Sequence, residues 1–166
     1  MIWGLSTSTF TTVHTVLSLI GIVTGLIVLA GLLNGRLLNG WNAVFLWTTI
    51  ATSVTGFAFP FDRLLPSHKV GILSLIVLAI ALVALYAKNL AGGWRRTYVI
   101  SALVALYLNC FVLVVMAFRN VPSLNALAPT QKEPPFAVAQ LAVLVLFVLL
   151  TIRAVKHFRG ETVRTA

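Results

Sequence analysis

The sequence predicts an all-helical bundle of five transmembrane spans, with the N-terminus outside and the C-terminus in the cytoplasm. Three observations carry that reading: the composition, the length of the apolar runs and the uneven placement of Lys and Arg. Of 166 residues, 60% are hydrophobic and 9% charged, against roughly 45–50% and about 25% in ordinary soluble domains. Twelve Lys and Arg with three Asp and Glu cannot coat a chain of 18.0 kDa without leaving large apolar patches, so a water-soluble fold is excluded.

Five runs are long enough to cross a hydrocarbon core of about 30 Å, which takes roughly 20 helical residues. They cover 13–33, 41–60, 70–87, 97–118 and 136–155, and form one transmembrane domain over 1–166. Helices are expected because each backbone polar group must be satisfied within the lipid, and no alternating strand pattern is visible. The first run has no basic residue before it and no cleavage signature after it, so a retained span is expected. Asn34-Gly35 and Asn39-Gly40 bracket the loop before the second run, which is set to end at Pro60. Ser67 is a candidate N-cap for the third. Gly92-Gly93 separates the third run from the fourth, and Pro134-Pro135 opens the fifth.

Orientation follows from the basic residues. Arg63, Lys69, Arg119 and Lys132 lie on the side of the N-terminus, whereas Arg36, Lys88, Arg95, Arg96, Arg153, Lys156, Arg159 and Arg164 lie on the other. The richer side faces the cytoplasm by the positive-inside rule, and Trp41 and Trp94 stand at its interface as aromatic anchors. The net charge of +9 is thus a topology signal together with attraction to anionic lipid. No stacking platform or groove-reading motif accompanies it, so the bilayer is the expected partner and nucleic acid is not. The single cysteine, Cys110, lies within an apolar run and reads as a packed small side chain.

Polar side chains within lipid face the bundle interior or water, so their depth is informative. His14 and His68 enter from the outer side, and at 1.5 Å of rise per residue Thr55 lies roughly 7 Å, Gln140 roughly 6 Å and Asn109 roughly 13 Å below that surface. The inner half offers only hydroxyls such as Thr48, Thr49, Ser101 and Thr151, which can bond back to their own helices. One reading is hydrogen-bonded glue between helices. The sharper one is a pocket open to the periplasm, with His14, His68, Asn109 and Gln140 lining a cofactor or ligand site. Thr55, Asp62 and Arg63 would then contact substrate at its mouth. Gly21 and Gly25, on the same face of the first span as His14, allow close approach of a helix or of a flat ligand.

Two histidines on one side would suffice for haem b, although no second pair lies one haem-stack deeper. Quinone is the other redox candidate. Two ligands fall short of a closed zinc site. No span carries an interior Asp, Glu, Lys, Arg or Pro, so a self-sufficient carrier is disfavoured. Glu133, near the start of the fifth span, favours the positive end of that helix, in a loop that caps the outer side or connects two spans.

Ser53-Val54-Thr55-Gly56-Phe57, Pro66-Ser67-His68, Val70-Gly71-Ile72 and Ala128-Pro129-Thr130-Gln131 together resemble small inner-membrane proteins of Gram-negative bacteria. The resemblance covers most of the chain and implies a bacterial inner-membrane location, with no activity, cofactor or catalytic residue attached. The expected role is therefore a non-enzymatic binding or accessory protein, as a homo-oligomer or a subunit of a membrane complex. The alternative is a redox protein holding haem b or quinone near the periplasmic face.

Overall fold

The computed structural model describes Gly4 and residues 6–59 and 66–159, without the side chains of residues 66 and 67. Every regular element among them is helical: α1 Thr7–Leu33, α2 Asn39–Gly56, α3 Pro66–Leu82, α4 Trp94–Asn120, α5 Pro122–Leu127 and α6 Pro134–His157. A π-helical turn, Val83–Ala87, extends α3. Four helices, Thr7–Leu33, His68–Ala87, Trp94–Asn120 and Pro134–His157, are long and apolar enough to cross a membrane. This is a multi-pass membrane protein.

Local chemistry moves several boundaries outward from the apolar runs. α1 begins six residues before the predicted 13–33 because Ser6 caps it, accepting from the Thr9 N–H at 3.1 Å. The polar first turns then persist because Thr11, Thr12 and Thr15 each donate to the carbonyl four residues back. Asn39 and Gly40 are the first two residues of α2, at the boundary that the sequence marked, and α2 ends at Gly56 within the predicted 41–60. The turn before it is made at Gly35, whose φ of +71° suits glycine. Pro134 and Pro135 do open α6, with Glu133 at the N-cap. The short α5, started by Pro122, lies in the connection that the sequence reading left without structure.

The helices alternate in direction. α2 runs back along α1 in one register: Phe59 meets Phe10, Thr55 meets His14, Thr49 meets Gly21 and Phe45 meets Gly25. α3 reverses again, with His68 at Phe57 and Gly71 at Phe57 and Ser53. α4 passes antiparallel to α1, so that Asn109 approaches Gly21 and Leu106 approaches Gly25. α6 returns along α4 through Phe136 with Phe118 and Phe147 with Tyr107. One end of the bundle therefore gathers the His14 turn of α1 with His68 and the start of α6. The other gathers Leu32, the start of α4 and the end of α6.

The hydrophobic core sits at the Leu32 end. Val28, Leu32, Phe45, Leu46, Leu78, Tyr98, Leu103 and Leu106 are nearly inaccessible there, and so are Ala81, Ala84, Ala102, Ala105 and Ala154. Alanine lets helix backbones approach closely, which matters in lipid because no hydrophobic force drives one apolar helix onto another. α6 is the least covered span, and its Val138, Leu141, Val145 and Leu149 face outward.

Candidate functional site

The sequence-predicted site residues are distributed over three seams between helices. On the first, between α1 and α2, His14 Nδ1 lies 2.9 Å from Thr55 Oγ1. Thr55 itself donates its hydroxyl proton to the Ala51 carbonyl at 2.7 Å. A hydroxyl has one proton to give, so where Thr55 gives it to Ala51 the proton between His14 and Thr55 belongs to the imidazole. In that arrangement His14 is the Nδ1–H tautomer, with its lone pair on Nε2. Phe59 packs edge-on against the imidazole with centroids 5.2 Å apart, and Phe10 packs on Phe59 at 5.1 Å.

Deeper in the bundle, α1, α2 and α4 meet around Gly21. A Cβ at that position would lie 3.1 Å from Thr49 Oγ1, 3.4 Å from Thr48 Oγ1 and 3.5 Å from Asn109 Nδ2. Asn109 Nδ2 donates to Thr49 Oγ1 at 3.2 Å. The glycine makes room for three polar heads, and it brings Asn109 together with Thr48 and Thr49, which the sequence reading had set in the inner half. Between α4 and α6, Gln140 Nε2 donates to the Phe111 carbonyl at 3.1 Å, while Gln140 Oε1 is buried without a hydrogen-bond partner among the described residues.

His68 belongs to the seam between α2 and α3. It is buried, and its ring lies 5.6 Å from that of Phe57. His14, on α1, touches Thr55 of α2 and Phe59 beyond its end, while His68, on α3, touches Phe57, the residue that follows α2. The structure thus places α2 between the two histidines. Asp62 and Arg63 lie outside the described residues. Among the described residues no group of three His, Cys, Asp or Glu side chains could hold a metal ion. Two surface depressions lie away from His14, His68, Asn109 and Gln140, one along Val138, Leu141 and Val145 of α6 and one beside Arg36.

The expectation that the Leu32 end holds only hydroxyls is corrected. Asn42 and Tyr98 are both fully buried there, and the Tyr98 hydroxyl donates to Asn42 Oδ1, tying the start of α2 to the start of α4. The sequence reading did not single out Asn42, the second residue of its second run. Its place one turn before Phe45 was the signal that it faces inward.

The loop after α4 is also more ordered than a connector needs to be. Gln131 Nε2 donates to the Val115 carbonyl at 2.8 Å, and Asn125 Nδ2 donates to that of Phe118 at 3.2 Å. Glu133 Oε1 accepts from the Thr130 N–H and hydroxyl, and Oε2 accepts from the Lys132 N–H. What little desolvation the loop imposes pushes the Glu133 pKa up, but the bonds from Thr130, its own backbone and Lys132 outweigh it and hold the carboxyl below its ordinary value.

Comparison with known proteins finds no matching family model, no curated relative and no similar solved structure.

Proposed function

We propose that the chain is a five-span protein of a bacterial inner membrane, N-terminus outside and C-terminus in the cytoplasm, that acts without catalysis as a binding or accessory component. The register of α2 along α1, from Phe59 at Phe10 to Phe45 at Gly25, supports a fifth crossing. The excess of Lys and Arg at the Leu32 end supports the orientation. Single cysteines in a Cys110→Ser background test both. A membrane-impermeant thiol reagent applied from outside is expected to label Thr130→Cys and to spare Asn34→Cys. If α2 did not cross, the two positions would lie on the same side and label together.

The observation that carries the role is the engagement of the polar side chains. His14, Asn109, Gln131 and Gln140 each bond a neighbouring helix or its carbonyl, so the His14 end is cross-braced. A braced bundle with barely covered α3 and α6 is suited to standing beside other spans. In mild detergent it is expected to migrate as an assembly larger than its own 18.0 kDa. A strictly monomeric particle in lipid nanodiscs would remove this reading.

His14 favours a second reading. As the Nδ1–H tautomer bonded to Thr55, His14 leaves Nε2 to accept from a quinol hydroxyl or to ligate a metal, with Phe59 as a ring neighbour. An absorption band in the purified protein that disappears in His14→Ala would move the function to redox chemistry.

A further inference from the structure

The α1–α2 loop carries a feature that the roles above do not use. Ile27, Ala30 and Gly31 of α1, with Leu38 beyond the turn, form a shallow trough whose mouth is set by Asn34 and Arg36. Its depth comes from small residues: Leu38 rests where a Gly31 Cβ would sit, 2.9 Å from that position, and Ala30 has only a methyl group. Asn34 is turned back onto its helix, donating to the Ala30 carbonyl at 2.7 Å, which leaves Arg36 as the exposed charge at the rim.

That rim is cationic. Gly35, beside Arg36, abuts the His157 carbonyl at the end of α6, and the Arg95 guanidinium donates to the carbonyl of Arg159. Arg36, Arg95 and Arg159 are thus drawn together on one edge of the bundle. The only carboxylate among the described residues, Glu133, belongs to the loop at the opposite end. An apolar trough on a membrane helix, with a guanidinium at its rim that meets no carboxylate among the described residues, matches an acyl chain below a phosphate.

We propose that this trough holds an anionic phospholipid, its upper chain carbons against Ile27, Ala30 and Leu38 and its phosphate at the Arg36 guanidinium. The proposal rests on the loop lying at a membrane surface and not on which surface that is. The test is native mass spectrometry of the full chain released from micelles containing equal phosphatidylglycerol and phosphatidylcholine. The wild type is expected to retain phosphatidylglycerol in preference. Arg36→Gln is expected to reduce that retention about fivefold, the effect of one basic group at a charged surface. Arg96→Gln, another exposed charge at the same end, is expected to change it little. Ala30→Phe fills the trough and is expected to lower retention of both lipids, with an unchanged circular dichroism spectrum showing that the bundle is intact.

Equal retention of the two lipids overturns the proposal. So does an equal loss in Arg36→Gln and Arg96→Gln, which would mean diffuse charge. Displacement of the lipid by inorganic phosphate overturns it as well, because the site would then read the anion alone. A wrong orientation would show in the cysteine labelling and leave this lipid preference in micelles unchanged.

Discussion

At the Leu32 end Phe45, Leu46, Tyr98, Leu103 and Leu106 interlock around fully buried alanines, whereas at the His14 end the helices meet through Thr55, Asn109, Thr49 and Gln140. Both ends sit in the same apolar solvent. In lipid, burying a leucine gains little transfer free energy, so the Leu32 end depends on dispersion at close approach, which needs small residues and rigid shapes. Hydrogen bonds at the His14 end act differently. Each is modest, yet a polar head without its partner is penalised in hydrocarbon, so the bonds select one register of α1 on α2 and α4. Packing holds one end and directional bonding aligns the other.

The largest test of this contrast is a cavity at the Leu32 end. Phe45 reaches over Gly25, its ring 2.9 Å from where a Cβ would be. Truncating a buried Phe costs about 3–5 kcal/mol in soluble cores. With the transfer part largely absent in lipid, Phe45→Ala is expected to lose about 2 kcal/mol in reversible unfolding in mixed micelles. Asn109→Ala, at the other end, is expected to lose about 1 kcal/mol. A smaller loss for Phe45→Ala than for Asn109→Ala would invert the division of labour.

Two double-mutant cycles sharpen it. Asn42 with Tyr98 is a polar pair at the packed end, fully buried on both sides, while His14 with Thr55 is only half-buried. Coupling between membrane-buried hydrogen-bonding side chains averages about 0.6 kcal/mol and reaches about 1.7 kcal/mol. The Asn42→Ala and Tyr98→Phe cycle is expected near the upper figure, and the His14→Ala and Thr55→Val cycle near the lower. Equal couplings would mean that burial does not set the strength of these bonds.

The same contrast governs what could be read from the sequence. Depth was legible in part: at 1.5 Å per residue Asn109 and Gly21 come to one level, but Asn109 also bonds Thr49, which the sequence reading had set in the inner half. Facing was not. A helix that is apolar all round carries no stripe to say which side turns inward, so nothing in the sequence separated His14 from His68 across α2. Residues near helix ends misled for another reason. Asn42 and the threonines of the first α1 turns have loop-like composition, but caps, back-bonds and the Tyr98 contact keep them helical. The bonds of Gln131 and Asn125 to α4 are long in sequence and leave no local pattern at all.

The smallest expected effect lies outside the membrane, in the Glu133 turn. A carboxyl whose folded pKa is lowered contributes stability that is fully present above its unfolded value and is lost as pH falls through the folded value. The turn is thus expected to stay closed at neutral pH and to loosen only below the ordinary carboxylate range. Hydrogen exchange at the Thr130 and Lys132 amides, both donors to Glu133, reads this directly. Their protection should fall on acidification and be low at every pH in Glu133→Gln, while amides of α4 near Leu106 stay unchanged. If protection near Leu106 fell with it, the turn would be coupled to the packed end, and the two halves of the bundle would not be separable.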